Sequence, residues 1–281
     1  MPTKKHITPR VAEIMLLAAT FFWGWTFPVV KDAVVVMPVF AFLALRFTLA
    51  AAVMLLLARR LPLWRKWRLG GALGVVLFLS FAFQTWGLVY TSSANSAFIT
   101  GLNVVWVVLL RRGGWRVWPM VCLAIVGLGL MTTPDYRQIN LGDWLTLACS
   151  LFIGLHILLL ARLDKEQSSI DMAFMQFASV AAMSLLVSLL FEPTLLPSKW
   201  DSKIIFALLL TALGATVFSF WVQTHYQRFT SPVRASMIFL AEPFFAAVFA
   251  VGLHGEHISG QAGLGALFIL VAMILVILRQ A

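Results

Sequence analysis

Two charged side chains stand near the middle of long apolar runs. Arg46 lies within the run FLALRFTLA, and Glu242 lies within IFLAEPFFA. A charge inside hydrocarbon is unfavourable, so such residues usually face a partner or a water-filled solute path. In a solute path, Arg46 would bind a carboxylate, and Glu242 would bind an ammonium group or a coupling proton. The sequence leaves a purely structural alternative open, in which backbone carbonyls bind Arg46 and hydroxyls cap Glu242.

A stripe of polar residues follows one face of the fourth apolar run. Its members recur at steps of four, four and three residues, as on one face of a helix: Ser92, Ser96, Thr100 and Asn103. The matching positions of the ninth run read Ser231, Ala235, Phe239 and Glu242. Hydroxyls at this spacing also occur where helices pack closely, although that packing motif mostly uses small residues such as Gly70 and Gly74. We therefore expect the stripe to line a cavity.

A duplicated turn relates the two halves of the chain. Five residues recur at one constant spacing: Phe81, Gln84, Thr85, Thr91 and Ser92 reappear as Phe220, Gln223, Thr224, Thr230 and Ser231. Each half holds an odd number of apolar runs, so the second copy must face the opposite side of a bilayer. Inverted duplication of this kind is common in secondary transporters, whose solute site lies between the halves.

The same duplication pairs polar residues inside the membrane. Arg46 corresponds to Gln176, and Glu242 corresponds to Asn103. If a pseudo-two-fold axis relates the halves, a contact between Arg46 and Glu242 would be mirrored by one between Gln176 and Asn103. His156, in the first run of the second half, is a candidate proton relay, although a lone histidine more often bonds a neighbour.

Composition places the chain in a membrane. Of its 281 residues 61% are hydrophobic and 11% charged, which is too much apolar surface for a water-soluble fold. Runs of about 20 mostly apolar residues, the length that spans a bilayer, occur near 11–31, 37–57, 69–90, 92–110, 116–133, 141–162, 171–191, 203–228, 231–253 and 258–278. We therefore predict an all-α membrane protein with ten transmembrane helices in two inverted-topology repeats of five, 11–133 and 141–279. A cytoplasmic segment, 1–10, precedes the first repeat, and a linker, 134–140, joins the two.

The positive charges predict the orientation. Sixteen of the 21 lysines and arginines flank one side of the spans, Arg46 lies inside a span, and the other side holds only Lys31, Arg137, Lys199 and Lys203. Because cytoplasmic loops retain lysine and arginine, both termini should lie in the cytoplasm and the protein in the cytoplasmic (inner) membrane. The net charge of +10 is spread over short connections, so the expected partners are the lipid bilayer and a small-molecule solute, and no nucleic acid. A monomer is compatible with the sequence.

Motifs for catalysis and cofactor binding are absent from the sequence. It has no nucleotide-binding glycine loop, no serine hydrolase elbow and no intramembrane metal motif. Its two cysteines, Cys122 and Cys149, sit singly in apolar runs and indicate neither a disulfide nor a zinc site. We expect no enzyme activity, no cofactor and no metal site.

Several motifs resemble those of the EamA-type carriers of the drug/metabolite transporter superfamily. They are the FWGWTF segment at 22–27, LRF at 45–47, the segment from YTSSA to FITGL at 90–102, the segment from TSP to EP at 230–243, and the glycine-spaced segment 255–265. Together these motifs extend over nearly the whole chain. Within the family, the chain resembles the YddG-like aromatic amino acid exporters. It departs from the family pattern at 111–115, where the fourth run ends early.

The resemblance implies a carrier that exports small metabolites such as amino acids by alternating access. It places nine residues at or near a central cavity: Trp23, Gln84, Ser92, Ser96, Thr100, Asn103, His156, Gln223 and Glu242. Two other classes remain open from the residues alone. One is a broad-specificity drug or metabolite facilitator, and the other is a non-transporting assembly or lipid-binding protein, whose middle would be dry and close-packed.

Overall fold

The computed structural model describes residues 7–58, 67–111, 114–132, 140–164, 166–197, 200–254 and 259–279. Residues 1–6 of the predicted cytoplasmic segment and 134–139 of the predicted linker lie outside these ranges, as do Arg137, Lys199 and residues 255–258 of the last motif. Within the described ranges the chain is helical and has no β-strand. The predicted all-α fold class is confirmed.

The helices follow the apolar runs predicted from the sequence. The first half contains α1 (Pro9–Val36), α2 (Val39–Ala58), α3 (Trp67–Tyr90), α4 (Ser93–Gly101), α5 (Asn103–Leu110) and α6 (Trp118–Thr132). The second half contains α7 (Leu141–Leu160), α8 (Ser169–Phe191), α9 (Ser202–Leu209), the π-helical segment Leu210–Phe218, α10 (Ser219–Tyr226), α11 (Pro232–Phe239), α12 (Glu242–His254) and α13 (Gly260–Arg279). The fourth and ninth runs, predicted as single spans, are each broken into two helices.

Several of these helices are suited to a bilayer. Among the residues described, seven helical stretches are long and apolar enough to cross a membrane: Pro9–Val36, Val39–Ala58, Arg68–Tyr90, Leu141–Leu160, Ser169–Phe191, Ser202–Phe229 and Gly260–Leu278. Shorter apolar helices lie at Asn95–Leu110 and Trp115–Leu130. A helix of about 20 residues is roughly 30 Å long, which is the thickness of the hydrocarbon core. The chain is a multi-pass helical membrane protein.

The fourth and ninth runs, which carry the polar stripe and its counterpart and are called the polar helices below, are broken for local reasons. Pro243 is the second residue of α12 and lacks the N–H that would continue the hydrogen-bond ladder, so the helix is interrupted after α11. In the first half the Asn103 side-chain amide donates to the Thr100 carbonyl at 2.9 Å, and such local side-chain bonds compete with helical ones. Consequently α5 begins at Asn103 and α12 begins at Glu242, which are corresponding positions of the duplicated halves.

Helices α3 and α7 pack as an antiparallel pair. At one end of the pair, a Cβ added to Gly142 would lie 2.5 Å from the Gly87 carbonyl oxygen, so the two backbones touch where only glycine fits. At the other end, Leu73 belongs to the same buried cluster as Leu160. Helix α2 packs against α8, and α6 packs against α13. The two halves of the chain are thereby interleaved.

Two hydrogen bonds tie the start of each polar helix to the first helix of the other half. Thr91 Oγ1 donates to Asp143 Oδ1 on α7 at 2.5 Å. Thr230 Oγ1 donates to Glu13 Oε1 on α1 at 3.3 Å. The two threonines are corresponding residues of the duplicated turn, and each precedes the serine that caps its helix. The halves therefore contact each other at equivalent points.

Candidate functional site

A cavity lies between the helices of the two halves. Its empty space is about 770 Å³ with its open mouth and the adjoining solvent included. Seven of the nine residues selected from the sequence line it, together with Arg46: Trp23, Gln84, Thr100, Asn103, His156, Gln223 and Glu242. They come from α1, α3, α4, α5, α7, α10 and α12, so the fold brings together segments from both halves.

Ser92 and Ser96 are the two predicted residues that do not line this cavity. Ser92 is exposed and caps α4, where its hydroxyl accepts the Asn95 N–H at 3.1 Å. Ser96 is fully buried, and its hydroxyl has no hydrogen-bond partner in the described part of the chain. Of the polar stripe on the fourth run, only the half beginning at Thr100 reaches the cavity.

Arg46 is held by a hydroxyl and by aromatic rings. Its Nε donates to Thr216 Oγ1 at 2.8 Å, and its guanidinium carbon lies 4.6 Å from the centroid of the Phe81 ring. Among the residues described, this is the only hydrogen bond of Arg46, so its terminal nitrogens remain available. The ion pair with Glu242 considered from the sequence does not form in this structure, and neither do the bonds to backbone carbonyls.

The partner of Arg46 lies in the π-helical segment. The wider turn of a π-helix leaves carbonyl groups out of the α-helical pattern, and such segments are frequent at functional sites. Here the Trp23 indole N–H donates to the Ala215 carbonyl at 2.9 Å, and Thr216 Oγ1 donates to the Thr211 carbonyl at 2.8 Å. Trp23 thus anchors α1 to this segment, while its ring forms part of the cavity wall.

Glu242 occupies the first position of α12, at the break between the two halves of the ninth run. No described residue lies within hydrogen-bond or ion-pair distance of its carboxylate, although the side chain lines the cavity. The first turn of a helix favours a negative charge because its N–H groups point towards it. The cavity therefore contains one basic and one acidic side chain that are not paired with each other.

His156 is hydrogen-bonded to Gln176 rather than free. Its Nε2 lies 2.7 Å from Gln176 Oε1, and Gln176 Nε2 donates to the Met172 carbonyl at 3.1 Å. Since a carbonyl can only accept, the Gln176 oxygen is the acceptor for His156, which donates through Nε2. Gln176 therefore does not bond Asn103, and the mirrored contact considered from the sequence is not observed.

The sequence matches the EamA-like transporter family twice, over residues 10–133 and again over 140–278. The chain belongs to this family. The match confirms the resemblance drawn from the motifs and makes the protein a membrane transporter. A transporter of Archaeoglobus fulgidus described as uncharacterized is 32% identical over 276 residues, which cover 95% of this chain and 86% of that protein.

The EamA-like fold is also found among solved structures. One crystal structure superimposes with a TM-score of 0.75 at 19% identity, covering 96% of this chain and 97% of that chain. Identity at this level supports the fold alone. The described residues contain no group of three or more histidine, cysteine, aspartate or glutamate side chains arranged to hold a metal ion.

Some residues around the EamA-like cavity were not selected from the sequence. Thr85 and the rings of Phe81 and Phe220 line it, and all three belong to the duplicated turn, so the repeat itself contained the signal. Thr216, which holds Arg46, lies outside the repeat motif. It could not be found from the sequence because its role depends on the π-helical turn.

Proposed function

We propose that this protein is a secondary transporter that exports amino acids, with aromatic ones as the first candidates, or related small metabolites across the cytoplasmic membrane. The observation that carries the proposal is that a basic and an acidic side chain, Arg46 and Glu242, line one cavity without binding each other. A zwitterion carries the complementary pair. Its carboxylate would bind the free guanidinium nitrogens of Arg46, and its ammonium group would bind Glu242.

The cavity wall suits an apolar or aromatic side chain. The rings of Trp23, Phe220 and Phe239 pack edge to face or tilted, with centroids 5.1 Å apart between Trp23 and each phenylalanine. Phe81 extends this wall towards Arg46. Aromatic pairs favour such geometries, and an additional ring would be accommodated by the same contacts. This wall supports the choice of aromatic amino acids as first candidates.

The proposed mechanism is alternating access between two inverted repeats of five helices, 11–133 and 141–279, that enclose the site. Three features support it: the antiparallel packing of α3 with α7, the equivalent bonds of Thr91 and Thr230, and the helix breaks at Asn103 and Glu242. In carriers of this design, broken helices place their ends at the solute near the middle of the bilayer. With the charge distribution of the loops, both termini would be cytoplasmic.

Counterflow in proteoliposomes tests the proposal. Vesicles loaded with one unlabelled amino acid should accumulate the same labelled amino acid transiently, and a panel of amino acids identifies the preferred solute. Arg46→Gln and Glu242→Gln should each reduce this exchange at least about ten-fold, because each removes a charge-assisted contact to the solute. Arg111→Gln makes the same chemical change at an exposed position and should leave exchange unchanged.

The alternative classes give different outcomes in the same assay. A channel would release solute without accumulating label by counterflow. A broad-specificity facilitator would accumulate label by counterflow, but with many solutes unrelated to amino acids as well. A non-transporting protein would do neither. Unchanged rates in both cavity variants, at equal reconstitution, would remove Arg46 and Glu242 from the mechanism.

A further inference from the structure

Some polar side-chain atoms of the cavity have no hydrogen-bond partner among the described residues. Whether these atoms donate or accept specifies the solute more closely than the charged side chains Arg46 and Glu242 do. We infer that the cavity selects a primary ammonium group through the side-chain oxygens of Asn103, Gln223 and Glu242, and that Gln227 is a positioning residue that sets the orientation of Gln223. The inference rests on the proposed function, because it concerns the same cavity.

The first acceptor is Asn103 Oδ1. The Asn103 amide nitrogen donates to the Thr100 carbonyl at 2.9 Å. A carbonyl cannot donate, so the orientation of the amide is fixed and its oxygen is the free atom. That oxygen is buried without a partner in the described part of the chain, and Asn103 is 4% exposed and lines the cavity.

The second acceptor, Gln223 Oε1, is fixed by a relay of two amides. Gln227 Nε2 donates to the Ile157 carbonyl at 2.7 Å, which assigns the Gln227 oxygen as an acceptor. Gln223 Nε2 donates to that oxygen at 2.9 Å. The Gln223 oxygen is therefore left free, and it too is buried without a partner among the described residues.

The relay assigns a role to a residue outside the cavity. Gln227 is 1% exposed and lies in the turn after α10, beyond the residues that line the cavity. It fixes the hydrogen-bonding direction of Gln223 from behind. Without it, the Gln223 amide could rotate by half a turn and present its NH₂ group, which would oppose a cationic solute.

Among the groups that line the cavity, the free oxygens of Asn103 and Gln223, and the Glu242 carboxylate when it is ionised, offer acceptors, whereas Arg46 offers only donors. Buried acceptors without donors are unfavourable, so their donors must come from the contents of the cavity. A primary ammonium group has three N–H donors and satisfies several acceptors at once. A tertiary amine or a carboxylic acid without an amino group does not.

The test compares phenylalanine with ligands that differ from it in the amino group and with one, phenethylamine, that lacks the carboxylate. Purified protein is mixed with phenylalanine, with phenethylamine, with N,N-dimethylphenylalanine or with 3-phenylpropanoate, and the ligand-induced shift of Tm is recorded. Phenylalanine should give the largest shift, and apparent affinity for it should exceed that for 3-phenylpropanoate or the dimethyl compound at least about ten-fold, as expected when hydrogen bonds to a charged group are lost. Equal affinities would overturn the inference, and so would the absence of any shift with amines.

Variants separate recognition from folding. Gln223→Met and Asn103→Leu each remove one of the three acceptors and should lower the ratio of the affinity for phenylalanine to that for 3-phenylpropanoate, whereas Gln223→Glu and Asn103→Asp keep an acceptor and should preserve this ratio. Gln227→Met should lower the ratio although it leaves the cavity residues intact. Gln167→Met is the matched control, since Gln167 lies away from the cavity. A ratio that stays unchanged in Gln227→Met with an unaltered ligand-free Tm would overturn the positioning role.

Failure of this inference and failure of the proposed function are distinguishable. Counterflow of amino acids without discrimination against 3-phenylpropanoate would retain the transporter and reject ammonium recognition. Amine-dependent shifts of Tm without counterflow would retain ammonium recognition and reject the proposed transport function. If binding of phenylalanine required sodium ions and the acceptor-free variants lost only that requirement, the acceptors would belong to a cation site and the inference would fall.

Discussion

The backbone of Glu242 packs directly against Gly24. A Cβ added to Gly24 would lie 2.7 Å from the Glu242 carbonyl oxygen and 2.8 Å from the backbone nitrogen of Ala246. The corresponding glycine of the second half, Gly154, lies against Asn103 in the same way, although a Cβ there would be 3.3 Å from the Asn103 carbonyl oxygen. At each helix break, the backbone thus contacts a glycine of the other half of the chain. The contact of Glu242 with Gly24 is closer than that of Asn103 with Gly154.

Replacing these glycines should therefore have unequal effects. Gly24→Ala forces a methyl group against backbone atoms and should destabilise the protein by about 1–3 kcal/mol. Gly154→Ala should have a smaller effect, since the nearest atom to a Cβ there, Trp106 Cβ, is 3.0 Å away and would need to move by only a few tenths of an ångström. Apparent Tm and counterflow measure both, and Gly71→Ala is the control because nothing lies within 4 Å of a Cβ at that position. Equal losses at Gly24 and Gly71 would contradict the prediction.

The hydroxyl of Thr216 should control the affinity of Arg46 for its ligand. Thr216→Val keeps the shape but removes the acceptor of the 2.8 Å bond from Arg46 Nε. The guanidinium then loses its fixed direction, and the apparent KM for counterflow should rise roughly five- to ten-fold, which corresponds to about 1–1.4 kcal/mol. Thr216→Ser retains the hydroxyl and should behave like the unmodified protein. A normal KM in Thr216→Val would show that Arg46 does not depend on this bond.

Two tryptophans of α1 offer a matched comparison. Trp23→Phe loses the 2.9 Å bond to the Ala215 carbonyl and should lower stability by about 1 kcal/mol. The Trp25 indole N–H is buried without a partner among the described residues. Trp25→Phe consequently removes an unsatisfied donor and should be neutral or stabilising in that respect. Apparent Tm values in one detergent decide between these expectations, and a larger loss at Trp25 would count against them.

Glu13 and Asp143 form hydrogen bonds between the two halves at opposite ends of the helix bundle. Loss of either carboxylate should favour opening of the cavity at its own end. Glu13 forms an ion pair with Arg234 at 3.1 Å as well as accepting from Thr230, whereas Asp143 accepts from Thr91 at the opposite end. Glu13→Gln should loosen the end at the start of α1, and Asp143→Asn should loosen the other. A change of about 1 kcal/mol would alter the populations roughly five-fold.

Labelling of a single cysteine in the cavity measures this bias. Thr100→Cys in a background with Cys122→Ser and Cys149→Ser is treated with an impermeant thiol reagent from each face of the membrane. Glu13→Gln should raise labelling from the face of the α1 start, and Asp143→Asn from the opposite face. Asp32→Asn, at an exposed position on α1, should change neither. If both variants raised labelling from the same face, the two carboxylates would not control opposite ends of the cavity.

The residues themselves determined the class of this protein and much of its site. The apolar runs required membrane helices because hydrocarbon tolerates few charges, so the two central exceptions, Arg46 and Glu242, were conspicuous without any structure. The duplicated turn identified Gln84 and Gln223 as corresponding residues. These features are legible because they depend on local spacing and on the chemistry of the bilayer.

The tertiary structure alone decided which groups meet. Arg46 bonds Thr216, a residue 170 positions away, rather than Glu242, and His156 bonds Gln176 rather than facing the cavity unpaired. Whether two such groups bond depends on differences of a few tenths of an ångström in the distance between helices that are far apart in the sequence. Local periodicity contains no information about those distances. For the same reason only the folded chain reveals that Gln227 orients Gln223, and hence that Gln223 is left with a free acceptor oxygen.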